Sequence, residues 1–153
     1  KSVIIVVTKW DLAEDNSDSN QQHVKKMVYS YFPHLVFAPI VFVSGETGYH
    51  VHKLMPEIMH VWRARHTHIA NRGLEKFLTE VTKDHRPARG KGTRHPKLLG
   101  MRQINDGPPV YELFIMAKTS LHRSYLHFLE NKLRERFDFY GTPIIIKLTK
   151  VKR

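Results

Sequence analysis

The chain has 153 residues, 41% of them apolar, no cysteine and a formal net charge of +11. That suffices for one ordinary domain or two small ones with a real core; the missing cysteines exclude a disulfide framework and thiolate metal sites and suit a reducing compartment. No run of eighteen apolar residues is present to span a bilayer, and the charge is lopsided, with seven Lys and Arg against six Asp and Glu in residues 1–70 but eighteen against eight in residues 71–153.

Val3-Ile4-Ile5-Val6-Val7 is an unbroken β-branched run, which predicts a strand buried on both faces of a parallel sheet. The run begins almost at Lys1 with no Met before it, so the chain reads as a piece of a longer protein, any targeting peptide lying upstream. An acidic Ser/Asn-rich loop follows over residues 15–20. Val24, Met27, Val28 and Tyr31 then recur at helical spacing, predicting a helix over residues 20–32 that Pro33 stops. Ile40-Val41-Phe42-Val43 is a second buried strand. Leu54, Ile58, Val61 and Trp62 form the apolar face of another helix, with Pro56 tolerated in its first turn. Strand, helix, strand, helix is the alternation of a doubly wound α/β sheet, here its last portion.

Residues 63–71 read as a polar, basic hinge, placing one domain at 1–70 and a second at 71–153. Leu74, Phe77, Leu78 and Val81 make a helical stripe with Asn71 as its N-cap. Residues 83–97 are crowded with Lys, Arg, Gly, His and Pro and read as a loop. Strands are expected over residues 98–104 and 110–117, joined by the turn Asn105-Asp106-Gly107-Pro108-Pro109. Thr119 or Ser120 is expected to cap a helix with Leu121, Tyr125, Phe128, Leu129, Leu133 and Phe137 inward and a Glu130–Arg134 pair outward. Gly141 closes that segment, and residues 142–151 form a last strand. The second domain is therefore α+β, a three-stranded sheet with helices on one face.

Two motifs carry chemistry. Thr8-Lys9-Trp10-Asp11 follows the first strand directly, where ligands of open α/β sheets collect. Guanine offers two adjacent donors, its N1–H and its amine, and one carboxylate accepts both; adenine presents the wrong pattern. Asp11 supplies that carboxylate, the stem of Lys9 covers the base plane, and Thr8 ties the loop to a phosphate-binding neighbour. Ser44-Gly45-Glu46-Thr47-Gly48 follows the second strand, with the Gly45 amide to meet the guanine O6 and Ser44 to steady the loop.

Together these stretches resemble the fourth and fifth motifs of translation-factor-like GTPases, usually Asn-Lys-x-Asp and Ser-Ala-x. The remainder resembles the C-terminal KH-like domain of the Der (EngA) family, which has two GTPase domains in tandem ahead of it. TKWDL, VSGETGYHVHKL, KLLGMRQINDGPPVYELF and SYLHFLENKLRERFDFYGTPIIIKL carry the likeness. It implies the C-terminal portion of a P-loop-type GTPase sheet followed by a KH-like domain. It further implies a GTP-binding factor in large ribosomal subunit assembly, with ribosomal RNA, the large-subunit precursor and its own upstream GTPase domains as partners. Thr8 stands where Asn is usual and Gly45 where Ala is usual. No G-x-x-x-x-G-K-S/T occurs in the 153 residues. Phosphates and Mg²⁺ would therefore be held only upstream, and this chain alone does not hydrolyse GTP.

The basic segment Lys83, Arg86, Arg89, Lys91, Arg94 and Lys97, extended by Arg102, is suited to neutralising phosphates. No Gly-x-x-Gly clamp is present in residues 71–153, so phosphate and shape contacts to folded RNA are expected rather than four-nucleotide readout. Eleven histidines, among them His60, His66 and His68, raise a metal reading that the neighbouring Arg63 and Arg65 oppose, and no metal site is assigned. The alternative function is a non-hydrolysing RNA-binding scaffold on pre-ribosomes with a vestigial GTPase domain. A membrane-surface role lacks the amphipathic helix it needs. Ribosome association, in a mitochondrial matrix or a bacterial cytoplasm, is the expected location.

Overall fold

The computed structural model describes residues 1–88 and 95–152. They form two compact units, one of Lys1–Arg65 with Tyr140–Pro143, the other of His66–Phe139 with Ile144–Arg153. No described helix is long and apolar enough to cross a membrane.

In the first unit β1 (Ile5–Val7) and β2 (Ile40–Phe42) pair in parallel, Ile5 opposite Ile40 and Val7 opposite Phe42. Parallel strands need a crossover, and α1 (Asp18–Tyr31) supplies it. Ser17 rather than a residue near Asn20 starts that helix, its hydroxyl accepting from the Asn20 amide at 3.2 Å. Asp15 steadies the cap by accepting from the Ser17 amide and hydroxyl, both at 2.8 Å, and these bonds hold its carboxyl below the usual range. Val24, Val28 and Tyr29 of α1 cover Ile5, Val7, Ile40 and Phe42, and the Tyr29 hydroxyl donates to the Ala38 carbonyl at 2.8 Å.

The expectation that the first strand is buried on both faces is corrected here. Val6 is 41% exposed, because α1 covers the side holding Ile5 and Val7, and β2 is the strand beside β1 among the described residues. A similar correction applies to α2 (Leu54–Arg65), which buries Val61 and Ala64. Met55, Ile58, Met59 and Trp62 lie exposed at i, i+3, i+4 and i+7 spacing.

Residues Tyr140–Pro143 belong to this unit through specific bonds. The Val3 amide donates to the Gly141 carbonyl at 2.9 Å, the Gly141 amide to the Phe37 carbonyl at 3.2 Å, and the buried Thr142 hydroxyl meets that of Ser2 at 2.8 Å. Gly141 has a φ of 63°, and a Cβ there would sit 2.5 Å from a Val61 methyl. Glycine here serves close approach, not the end of a helix, which stops earlier.

The second unit holds α3 (Asn71–Asp84), β3 (Leu98–Asp106), β4 (Pro109–Met116), α4 (Arg123–Arg136) and β5 (Ile145–Val151). The sheet order is β3-β4-β5, antiparallel then parallel. Met101, Tyr111, Leu113 and Ile115 point to one face and pack under Leu74, Phe77, Leu78 and Val81 of α3 and Tyr125, Leu129 and Leu133 of α4. This is the three-stranded α+β sheet with both helices on one face.

Capping differs from expectation. α3 follows Ala70, which has no side-chain cap bond, with Asn71 already inside the helix. α4 is capped by His122, whose Nδ1 accepts from the Ser124 amide at 3.3 Å, not by Thr119 or Ser120. Buried Thr119 instead turns its hydroxyl to the Met116 carbonyl at 2.7 Å. Within the turn Asp106 pairs with Pro109, so Gly107 and Pro108 alone make the bend, across a cis peptide bond.

Candidate functional site

Backbone bonds bring the two motif loops together. The Val43 amide donates to the Val7 carbonyl at 2.9 Å and the Trp10 amide to the Val43 carbonyl at 3.1 Å, so the parallel ladder continues past the strand ends. Lys9 takes a left-handed conformation, φ 56°, which turns the chain into a short 3-10 turn over Trp10–Leu12. Trp10 is the anchor, buried and edge-on to Phe42 with ring centroids 4.5 Å apart. Thr8 and Lys9 are exposed beside it, while Asp11 is half-buried.

The loop after β2 is closed by Ser44, which is fully buried. Its amide donates to the Tyr49 carbonyl at 3.1 Å, and its hydroxyl accepts from the Thr47 amide at 3.1 Å. Gly45 and Glu46 stand exposed at the loop tip. Nothing lies within 4 Å of a Cβ built at Gly45, so an alanine fits there as readily. Glycine in place of alanine therefore relieves no crowding at this loop tip.

Between these loops lies a recess of about 240 Å³ lined by Trp10, Asp11, Asn16, Thr47 and Tyr49. It is below the ~300 Å³ at which drug-sized cavities begin. Sequence reading found Asp11 but not Asn16, Thr47 or Tyr49 as neighbours. The Gln21 side-chain amide donates to the Tyr49 hydroxyl at 3.3 Å, and Tyr49 stacks on His50 with centroids 3.8 Å apart. Burial chiefly, and then the charge of Lys53, holds His50 below the ordinary imidazole range, in keeping with its Nε2 facing the Lys53 ammonium at 2.8 Å. The signal available beforehand was only Tyr49 immediately after Thr47-Gly48, since the bond from Gln21 spans 28 positions.

In the second unit Lys83, Arg86 and Lys97 gather around adjoining recesses. Arg89, Lys91 and Arg94 lie outside the described residues. Arg102 is placed elsewhere, on the sheet face opposite the helices. There its guanidinium lies 2.7 Å from Glu112 and 5.3 Å from the centre of the Phe114 ring. The Thr149 hydroxyl donates to the other Glu112 oxygen at 2.6 Å, so a polar row crosses all three strands. The Thr149 bond first, then the Arg102 bond, holds the Glu112 carboxyl below its ordinary range. Arg102 is thus engaged within the sheet. Of the histidines considered for a metal, His68 meets Asp106 at 3.1 Å. The same Asp106 oxygen accepts from the Gln103 side-chain amide at 3.0 Å.

Residues 68–149 match the family described as KH-domain-like of EngA bacterial GTPase enzymes, C-terminal. The chain is 34% identical over 150 residues to a GTPase Der of Caldanaerobacter subterraneus subsp. tengcongensis, covering 98% of this chain and 34% of that protein. It is 36% identical over 151 residues to a GTPase Der of a Thermoanaerobacter species, with 98% and 34% coverage. A GTPase Der of Lactobacillus acidophilus is 36% identical over 146 residues, with 95% and 33% coverage. The chain therefore spans about a third of the length of the curated relatives it matches.

Proposed function

The chain belongs to the Der (EngA) GTPase family, and from that premise we propose that it is the guanine-side end of a GTP-binding factor with an RNA-facing domain attached. The observation that supports the nucleotide half is that backbone bonds bring the two motif loops together and that Trp10 and Asp11 of one and Thr47 and Tyr49 of the other line one recess. Asp11 accepts from the guanine N1–H and amine, the Gly45 amide meets O6, and Glu46 stands at the rim of the same loop. Lys9, held left-handed, extends its stem along the base. Thr8 steadies the turn with a hydroxyl where relatives of this kind usually have an amide. Phosphates, Mg²⁺ and the attacking water fall to segments outside these 153 residues.

The second unit contributes RNA binding. Its support is the excess of positive charge beyond residue 70, together with Lys83, Arg86 and Lys97 around shared recesses. The same reading places the intact protein on the precursor of the large ribosomal subunit, binding ribosomal RNA, in a bacterial cytoplasm or an organellar matrix. The scaffold alternative, in which the upstream domain no longer hydrolyses GTP, is separated from this one by GTP turnover of the intact protein.

The test is a GDP titration of the intact protein against Asp11→Ala. Loss of hydrogen bonds to a charged acceptor weakens GDP by at least tenfold, equivalent to about 1.5–3 kcal/mol. Equal affinity in the two proteins removes Asp11 from the base site. Asp11→Asn sharpens the result. Its amide offers one donor and one acceptor, complementary to xanthine and not to guanine, so preference moves from GDP to xanthosine diphosphate.

A further inference from the structure

α3 and the first residues of β3 enclose a groove of about 390 Å³, lined by Leu78, Thr79, Lys83, Arg86, Leu98 and Gly100 among others. Leu78 is 6% exposed and Leu98 half-buried, so an apolar surface meets the groove. A second recess of about 660 Å³ shares Thr82, Arg86 and Leu98 with it and adds Pro87, Pro96 and Lys97. Three cations therefore stand along two adjoining hollows. Glu75 opposes them from the lining, and exposed Asp84 stands beside Lys83 in the chain.

These features fit one kind of occupant. A nucleobase has apolar faces that gain from leaving water and polar edges that require hydrogen-bonding groups such as the exposed Thr79 hydroxyl, which donates to the Glu75 carbonyl at 2.8 Å and keeps acceptor capacity. Its flanking phosphates require cations. A base enters a groove of this kind only when unpaired, since A-form duplex keeps its bases stacked and its major groove closed to side chains. β3 is an edge strand, and edge strands next to a helix also accept extended peptides. Here, however, the pairing register slips between Leu98 and Gly100. That irregularity spoils the template an added strand needs. Charge points the same way.

We propose that this groove takes one unpaired nucleotide of a single-stranded RNA, with the base against Leu78 and Leu98 and its phosphates on Lys83, Arg86 and Lys97. The inference rests on the RNA-binding reading of the second unit and goes beyond it. Phosphate and shape contacts alone do not distinguish single strand from duplex; an apolar groove with polar walls does.

Fluorescence anisotropy of the 153-residue chain tests it, using a labelled single-stranded RNA decamer and the same decamer annealed to its complement. The single strand binds more tightly. Thr79→Phe fills the groove from an exposed helix position, and it weakens the single strand about tenfold, the scale of one base contact, while sparing the duplex. Lys83→Ala with Arg86→Ala instead lowers the slope of log affinity against log salt by about 1.4, two single-strand phosphates' worth. Equal binding of both RNAs, unchanged by Thr79→Phe, overturns the base pocket and leaves phosphate-driven RNA binding standing. Binding of neither RNA, with an oligoglutamate peptide captured in their place, overturns both. A readout free of substitutions is crosslinking of a decamer carrying one 4-thiouridine. Adducts on residues 75–86 or 98–100 support the groove, and adducts confined elsewhere overturn it.

Discussion

The two units bury apolar surface very differently. The second closes a core of its own, in which Leu74, Tyr111, Leu113, Ile115, Leu129 and Leu133 have no exposed surface. The first has a small cluster under α1, a helix that contains no fully buried residue, and it leaves Met55, Ile58, Met59 and Trp62 of α2 exposed. The difference teaches that element content alone does not set how much apolar surface the described residues close. A two-stranded parallel sheet covers little apolar surface, whereas two helices laid on one face of three strands close that face.

Removing a side chain from the closed core gives the largest effect. Leu129→Ala costs about 2–5 kcal/mol, because the packed surroundings cannot collapse into the space. A urea transition assigned to the second unit, shifted by less than ~1 kcal/mol, would break the comparison. In the first unit the equivalent sensitivity lies in a backbone approach. Gly141→Ala forces a φ of 63° on an L residue and a Cβ against Val61, costing about 1–3 kcal/mol. Adding Val61→Ala relieves the clash but not the conformational strain, so thermal unfolding of the double variant recovers only part of any steric loss.

Smaller effects sharpen the contrast. Glu112 has a depressed carboxyl pKa through the Thr149 and Arg102 bonds. Its contribution is present above the ordinary carboxylate range and lost as pH falls through the lowered value. Thr149→Val moves the Glu112 titration upward in a carboxyl-detected NMR experiment, while Arg102 retains its bond. An unmoved titration would remove the polar row as the cause. On the open face of α2, Met59→Gln changes stability by no more than about 0.5 kcal/mol, as expected of an exposed position. A larger loss in a denaturant titration would show that the stripe is covered in solution.

Much of this was legible in the residue order. The β-branched run and the helical stripes gave the elements, since periods of 2.0 and 3.6 are local properties. The spacing of Asp11 and Ser44 behind two strands located two neighbouring loops for the same reason. What the order did not give were features made by distant partners. Arg102 looked like part of the basic segment until β3 set it opposite Glu112, ten positions away. The α4 cap passed from Thr119 or Ser120 to His122 because buried Thr119 turned its hydroxyl to the Met116 carbonyl instead.

By itself, then, the sequence determined the order of strands and helices, the motif loops and the half of the chain that carries charge. Each follows from short-range periodicity, turn chemistry or simple composition. Only tertiary structure decided that Trp10 and Asp11 share a recess with Thr47 and Tyr49 and that Gly141 seats against Val61 in the first unit. It alone decided that Lys83, Arg86 and Lys97 rim a groove while Arg102 does not line it. The reason is physical: pairing register and close packing bring together atoms far apart in the chain, and no local pattern encodes which atoms meet.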